Sequence, residues 1–216
     1  MASQNQIPPS NPSRAVQKQV TRKKLIDATV QVIAEQGIAG VTLAKVAKRT
    51  GLSQGICNFH FKTKKLLLLE AFRMLYSEHE AAWRSILSDS SKSPESRLQI
   101  LVRTILTPPI ADHTKLAVWM SFWGVTPHRQ TYLEICGKLD REYETEVENL
   151  IRKMAKGQET INGMSLKAIA VTLTAMMDGF WVNYLISPGC LPREDAVNAC
   201  LNFLSGFFPS INSMED

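Results

Sequence analysis

Between positions 53 and 60 the chain carries Ser53, Gln54, Gly55, Asn58 and His60, side chains suited to reading base edges. Glutamine and asparagine can bond adenine bidentately through N6 and N7. Gly55 permits close backbone approach. An ordinary solvated helix face would hold the same residue types, so the neighbours must decide. Phe59, in the same run, either packs inward or lies against a sugar-phosphate backbone. Lys62, Lys64 and Lys65 follow, the last two in the first turn of a helix opened by Thr63. The positive end of a helix repels cations by ~0.3–1 kcal/mol each. A docked phosphate would reverse that sign, because free N–H groups and lysines would then converge on it. Thr42, at another helix start, is a second phosphate candidate.

A different chemistry is suggested further along. Trp119 and Trp123 lie one turn apart, and Trp181 and Tyr184 share a later helix with Asp178. Aromatic faces and a carboxylate are what a desolvated quaternary ammonium needs. The alternative is core packing for the rings, with Asp178 reaching solvent or a backbone donor. Catalysis has no comparable signal. His113 beside Asp112 lacks a nucleophile, and no Ser-His-Asp, metal-ligand or phosphate-loop pattern occurs. Cys57, Cys136, Cys190 and Cys200 lie far apart with no CxxC pair, so no metal and no cofactor are expected.

These residues need helices to position them, and the periodicity reads as all-α, without convincing strand alternation. Residues 1–13 read as a disordered, proline-rich tail. A first helix is expected from Val16 to Gln36, with Leu25, Ala28, Val32 and Ile33 on one face and Gly37 at its end. Thr42 caps a short second helix whose Leu43, Val46 and Ala47 face inward. Gly51 ends it, Ser53 caps a third, and Thr63 caps a long fourth towards Leu87. Beyond the polar loop Ser88–Ser96, helices are expected at 95–107, 114–124, from Thr126-Pro127 to Gly157, from Ser165 to the Ser187–Gly189 break, and from Pro192 to Phe208. The expected architecture is a three-helix DNA-binding domain at 14–65, joined by a long helix to a ligand-binding and dimerisation bundle at 66–216.

Charge sharpens this division. Residues 1–65 hold eleven Lys and Arg against two acidic residues, net +9, while the remainder is net −4. That asymmetry places a polyanion-binding surface at the N-terminus. A DNA-coating architectural protein would carry basic residues over much more of its surface. No apolar run approaches the ~18 residues of a membrane-spanning helix, and no secretory signal opens the chain, so the expected compartment is the cytosol.

The pattern GxxxVTLxxVAxxxGLSxGxxxxHFxxKxxLL, starting at Gly37, closely resembles the N-terminal domain of TetR-family repressors. The resemblance implies a phosphate-gripping role for Lys64, and groove-facing positions for Ser53, Gln54, Gly55, Asn58 and His60. Many members carry tyrosine where this chain has Asn58, which assigns Asn58 to bases. Ala117–Leu133 and Met176–Ser187 are similar to the BetI-like, choline-responsive branch. That implies a ligand pocket within the C-terminal helices, and a homodimer built through the last two. The helix from 165 to 187, apolar nearly all round, also asks for cover on more than one side. The expected protein is a dimeric repressor that binds a palindromic double-stranded DNA operator and is released by a small-molecule effector such as choline. An activator, or a regulator without an effector, is the alternative.

Overall fold

The structure, a computed structural model, describes residues 13–124 and 129–212; the expected tail at 1–12 and the Thr126-Pro127 helix start lie outside them. Ser13 opens α1 (Arg14–Gly40), its hydroxyl accepting the Val16 N–H at 3.4 Å. Helical geometry breaks at Gly37, as expected, where φ is 66° and ψ 174°, and one further turn runs on to Gly40. This turn carries Ile38 and Val41 back into the core.

Thr42 then caps α2 (Leu43–Thr50) by accepting the Lys45 N–H at 3.1 Å. Gly51, at φ 71°, returns its own N–H to Lys48 O and that of Leu52 to Ala47 O. Left-handed backbone at this position strains any residue with a Cβ. Ser53 caps α3 (Gln54–His60), and Thr63 caps α4 (Lys64–Ser88), through bonds of 3.3 and 3.2 Å. Leu25, Ile33, Val46, Cys57, Phe61 and Leu67 form the fully enclosed centre of this head. Each large apolar side chain so buried stabilises it by about 1.5–3 kcal/mol.

The body comprises α5 (Pro94–Leu106), α6 (His113–Trp123), α7 (Arg129–Met154), α8 (Leu166–Ile186) and α9 (Arg193–Ser205), closed by a 3-10 turn at Pro209–Asn212. Strands are absent from the sequence reading, yet β1 (Thr160–Ile161) and β2 (Met164–Ser165) pair as a minimal antiparallel hairpin. Asn162 and Gly163 both take positive φ between them, the requirement of a tight two-residue hairpin turn.

α8 is long and apolar enough to cross a membrane by length and composition, contrary to the sequence reading of apolar runs. Its face bearing Leu166, Ile169, Leu173, Met177, Trp181 and Tyr184 is instead buried in the bundle. Val171, Val182 and Ile186 point outward. α4 belongs to both halves: Leu67 closes the head, while Trp83, only 1% exposed, lies in the body. The boundary expected at 65/66 therefore falls within its first turn.

Candidate functional site

α3 presents Ser53, Gln54, Gly55, Asn58 and Phe59 to solvent, Phe59 being 69% exposed. Cys57 is the face that anchors the helix, wholly buried against the head. His60 departs from the expected exposed side. It is half-buried between Phe59 and Phe61, and its shielded Nδ1 has no hydrogen-bond partner. Burial, then the charges of Lys18 and Arg22, hold its imidazole below the ordinary histidine range. Lys18 also places its ammonium 5.3 Å from the centre of the Phe59 ring, joining the start of α1 to the α3 surface.

Lys62 and Lys65 are exposed, whereas Lys64 is half-buried and donates to Ala39 O at 3.2 Å. Lys64 thus ties the start of α4 to the kinked end of α1. The two acidic residues of the head are spoken for: Glu35 grips Arg49 at 2.5 and 2.7 Å, and Asp27 accepts from Lys23. The hydroxyls of Thr42, Ser53 and Thr63 cap helices as acceptors, and a hydroxyl that accepts can still donate to a phosphate. If the exposed amides read bases, Gln54→Ala or Asn58→Ala will cost about 1–3 kcal/mol on the cognate duplex and less on random DNA. Equal losses on both, measured by competition titration, would reduce these residues to backbone contacts.

The second region is a cavity of about 610 Å³ between α4, α5, α6, α7 and α8. Trp119, Trp123, Trp181 and Asp178 all line it. Trp119 lies 5.8 Å from Trp181 and 6.1 Å from Trp123, while Trp123 and Trp181 stack nearly parallel at 6.2 Å. Trp181 is held in place because its Nε1 donates to Ile105 O at 2.8 Å. Trp123, 37% exposed, stands nearest to solvent.

Tyr184 does not join them. It lies one turn beyond Trp181 on the same face, and there its ring meets α9, with the Arg193 guanidinium 4.2 Å from the ring centre. Arg193 in turn donates to Leu106 O, so Tyr184 packs the closed end of the bundle.

Sequence reading missed half of the cavity wall. Tyr76 and His79 reach it from α4, and Asp140, Tyr143 and Glu144 from α7. Tyr76 donates to Asp140 at 2.6 Å. His79 sits 5.7 Å from Trp181 and 5.8 Å from both Trp119 and Tyr143. Burial pushes its imidazole down to about 4, so it is neutral at physiological pH. Asp178 keeps much of its surface exposed, yet desolvation of its carboxyl, helped by the charges of Asp140 and Glu144, pushes it up to about 6. Aromatic spacing could have announced Tyr76, His79 and Tyr143. Asp140 and Glu144 look like any solvated helix face.

Comparison with known proteins follows the same two-part division. Residues 25–71 match the family of bacterial regulatory proteins of the tetR type, and residues 94–209 match the BetI-type transcriptional repressor C-terminal family. An HTH-type transcriptional regulator BetI from Burkholderia mallei is 29% identical over 187 residues, 87% of this chain and 93% of the relative. A transcriptional regulator from Pseudomonas aeruginosa PAO1 has a TM-score of 0.73 at 21% identity, covering 87% of this chain and 90% of its own. Another, from Saccharomonospora viridis and solved with choline, has a TM-score of 0.71 at 19% identity, covering 87% and 96%.

Proposed function

This chain belongs to the TetR family of bacterial regulatory proteins with a BetI-type C-terminal domain, and we propose that it is a dimeric repressor released from its operator by a small quaternary ammonium compound. The observation that carries the effector is the meeting of Trp119, Trp123, Trp181 and Asp178 in one cavity. A cation desolvated against an aromatic face gains about 2 kcal/mol or more. Trp123 and Trp181 stack too closely to admit an ammonium between them. Its place is against their open faces, with Asp178 as counter-charge. Choline, bound by the S. viridis relative in its structure, is the first compound to test.

In this reading Ser53, Gln54, Gly55, Asn58 and the flanking Thr42, Phe59, His60, Lys62, Lys64 and Lys65 meet operator DNA in the cytosol. A helix-turn-helix dimer sets two reading helices about one DNA turn, or a multiple, apart. The cavity can act on them because α4 supplies both Lys64 at the head and His79 at the cavity. α1 of the head also packs on α6, which bears Trp119 and Trp123. A ligand switches the protein only if it binds one head geometry better than the other.

Fluorescence anisotropy on an operator selected from random duplexes tests both halves. Affinity should fall with salt at a log–log slope of roughly −4 or steeper, at about −0.9 per phosphate neutralised. Millimolar choline should weaken operator binding at least about tenfold, corresponding to ~1.4 kcal/mol of coupling. Salt-independent association would refute the DNA assignment. An operator complex that choline leaves untouched would remove choline itself as the effector.

A further inference from the structure

Two carboxylates on facing helices border this cavity, and we propose that its effector is an organic dication: one head against the tryptophans, a second ammonium at Glu144. This rests on the reading of the cavity as the effector site. Asp178 on α8 and Glu144 on the facing α7 both line it, and neither makes an ion pair or hydrogen bond among the described residues. Asp140 adds a third carboxylate, already accepting from Tyr76. His79, the imidazole that the described residues bring to the wall, is neutral and supplies no compensating charge.

Size points the same way. A volume of about 610 Å³ lies within the range of roughly 300–1,000 Å³ that holds drug-sized ligands, much larger than choline. Glu144 and Thr174 also border a separate pocket of about 210 Å³ along the α7–α8 seam. Arg141 and Lys167 border that pocket, so a second cation belongs at Glu144 itself and not beyond it. An elongated molecule with a cation at each end meets the Asp178–tryptophan corner and Glu144 together. A single quaternary ammonium leaves Glu144 unanswered.

Calorimetry with a series of bis(trimethylammonium)alkanes of increasing spacer length tests this, each against the alkyltrimethylammonium of equal chain length. At the best-fitting spacer the dication should bind about tenfold more tightly than its monocation. Glu144→Gln should collapse that ratio towards one. Dications no tighter than monocations at any spacer would overturn the inference while leaving the effector site standing. A ratio that survives Glu144→Gln would also overturn it. If choline, monocations and dications all fail to bind, the effector reading itself falls, and this inference with it.

Discussion

In the proposed dimer, replacing Val182 and Ile186 together by glutamate will separate the protomers and lower operator affinity by about a hundredfold or more. Val171, Val182 and Ile186 are 46%, 36% and 71% exposed, and with Ala175 they recur at helical spacing along the outer face of α8. At the end of α9 and just beyond it, Phe203 and Phe207 pack edge to face at 5.3 Å and stay only half-buried. Apart from the exposed Asp178 between Ala175 and Val182 this face is apolar, and such a face marks an interaction surface. A second copy is the natural cover, because two-fold pairing buries the same stripe on both subunits. Each half-site contact is then held near the other, so the second binding step is intramolecular and overall avidity rises by about 10²–10⁴. Sedimentation velocity and anisotropy on the same samples would show monomers with weakened binding. A double variant that remains a dimer would place the interface elsewhere. Trp181→Glu would not make this test, since Trp181 is 3% exposed and bonded to Ile105, and its loss would damage the core.

That distinction shows how far the residues alone could be read. The head was legible because its determinants are local. Thr42, Ser53 and Thr63 are caps next to the helices they open, and Gly51 sits at the one turn needing a left-handed residue. Periodicity gave the body helices for a similar reason, and Asn162-Gly163 was a hairpin signal passed over between two long helices. The cavity is another matter. Helical spacing puts Tyr184 with Trp181, but only the packing of α9 brings Arg193 over its ring. Asp140 and Glu144 became cavity groups because α7 crosses α8 at Asp178, a relation across distant helices that charge patterning cannot express. His60 is similar: its inward turn depends on Phe61, which caps α3 and is 2% exposed.

Lowering the pH from about 7.5 to about 5 will weaken choline binding about tenfold, and Asp178→Asn will remove most of that dependence. The cause is the carboxyl of Asp178, pushed up to about 6 by desolvation and by Asp140 and Glu144. An ammonium favours the ionised carboxylate, so binding above pH 6 meets a charged partner. Below it the ligand must first displace a proton, and affinity drops by about tenfold per pH unit once Asp178 is mostly neutral. The other groups facing Asp178 change little in this window: His79 on α4 titrates near 4, and Tyr143 on α7 is raised further above its already alkaline range. Among the described residues α5 and α6 bring Ile105 and the rings of Trp119, Phe122 and Trp123, none of them titratable in this window. The free protein should show the opposite trend. A raised carboxyl pKa contributes stability that is fully present below the ordinary value of 3.8 and is lost as pH rises through about 6. Choline should therefore raise the melting temperature more at neutral than at acid pH, as it offsets the charge of the ionised Asp178 carboxylate. Calorimetry and thermal melts on the native chain and on Asp178→Asn would read both effects. A choline affinity flat with pH, or a variant with the native slope, would remove Asp178 from the cation's side and leave the tryptophans to hold it alone.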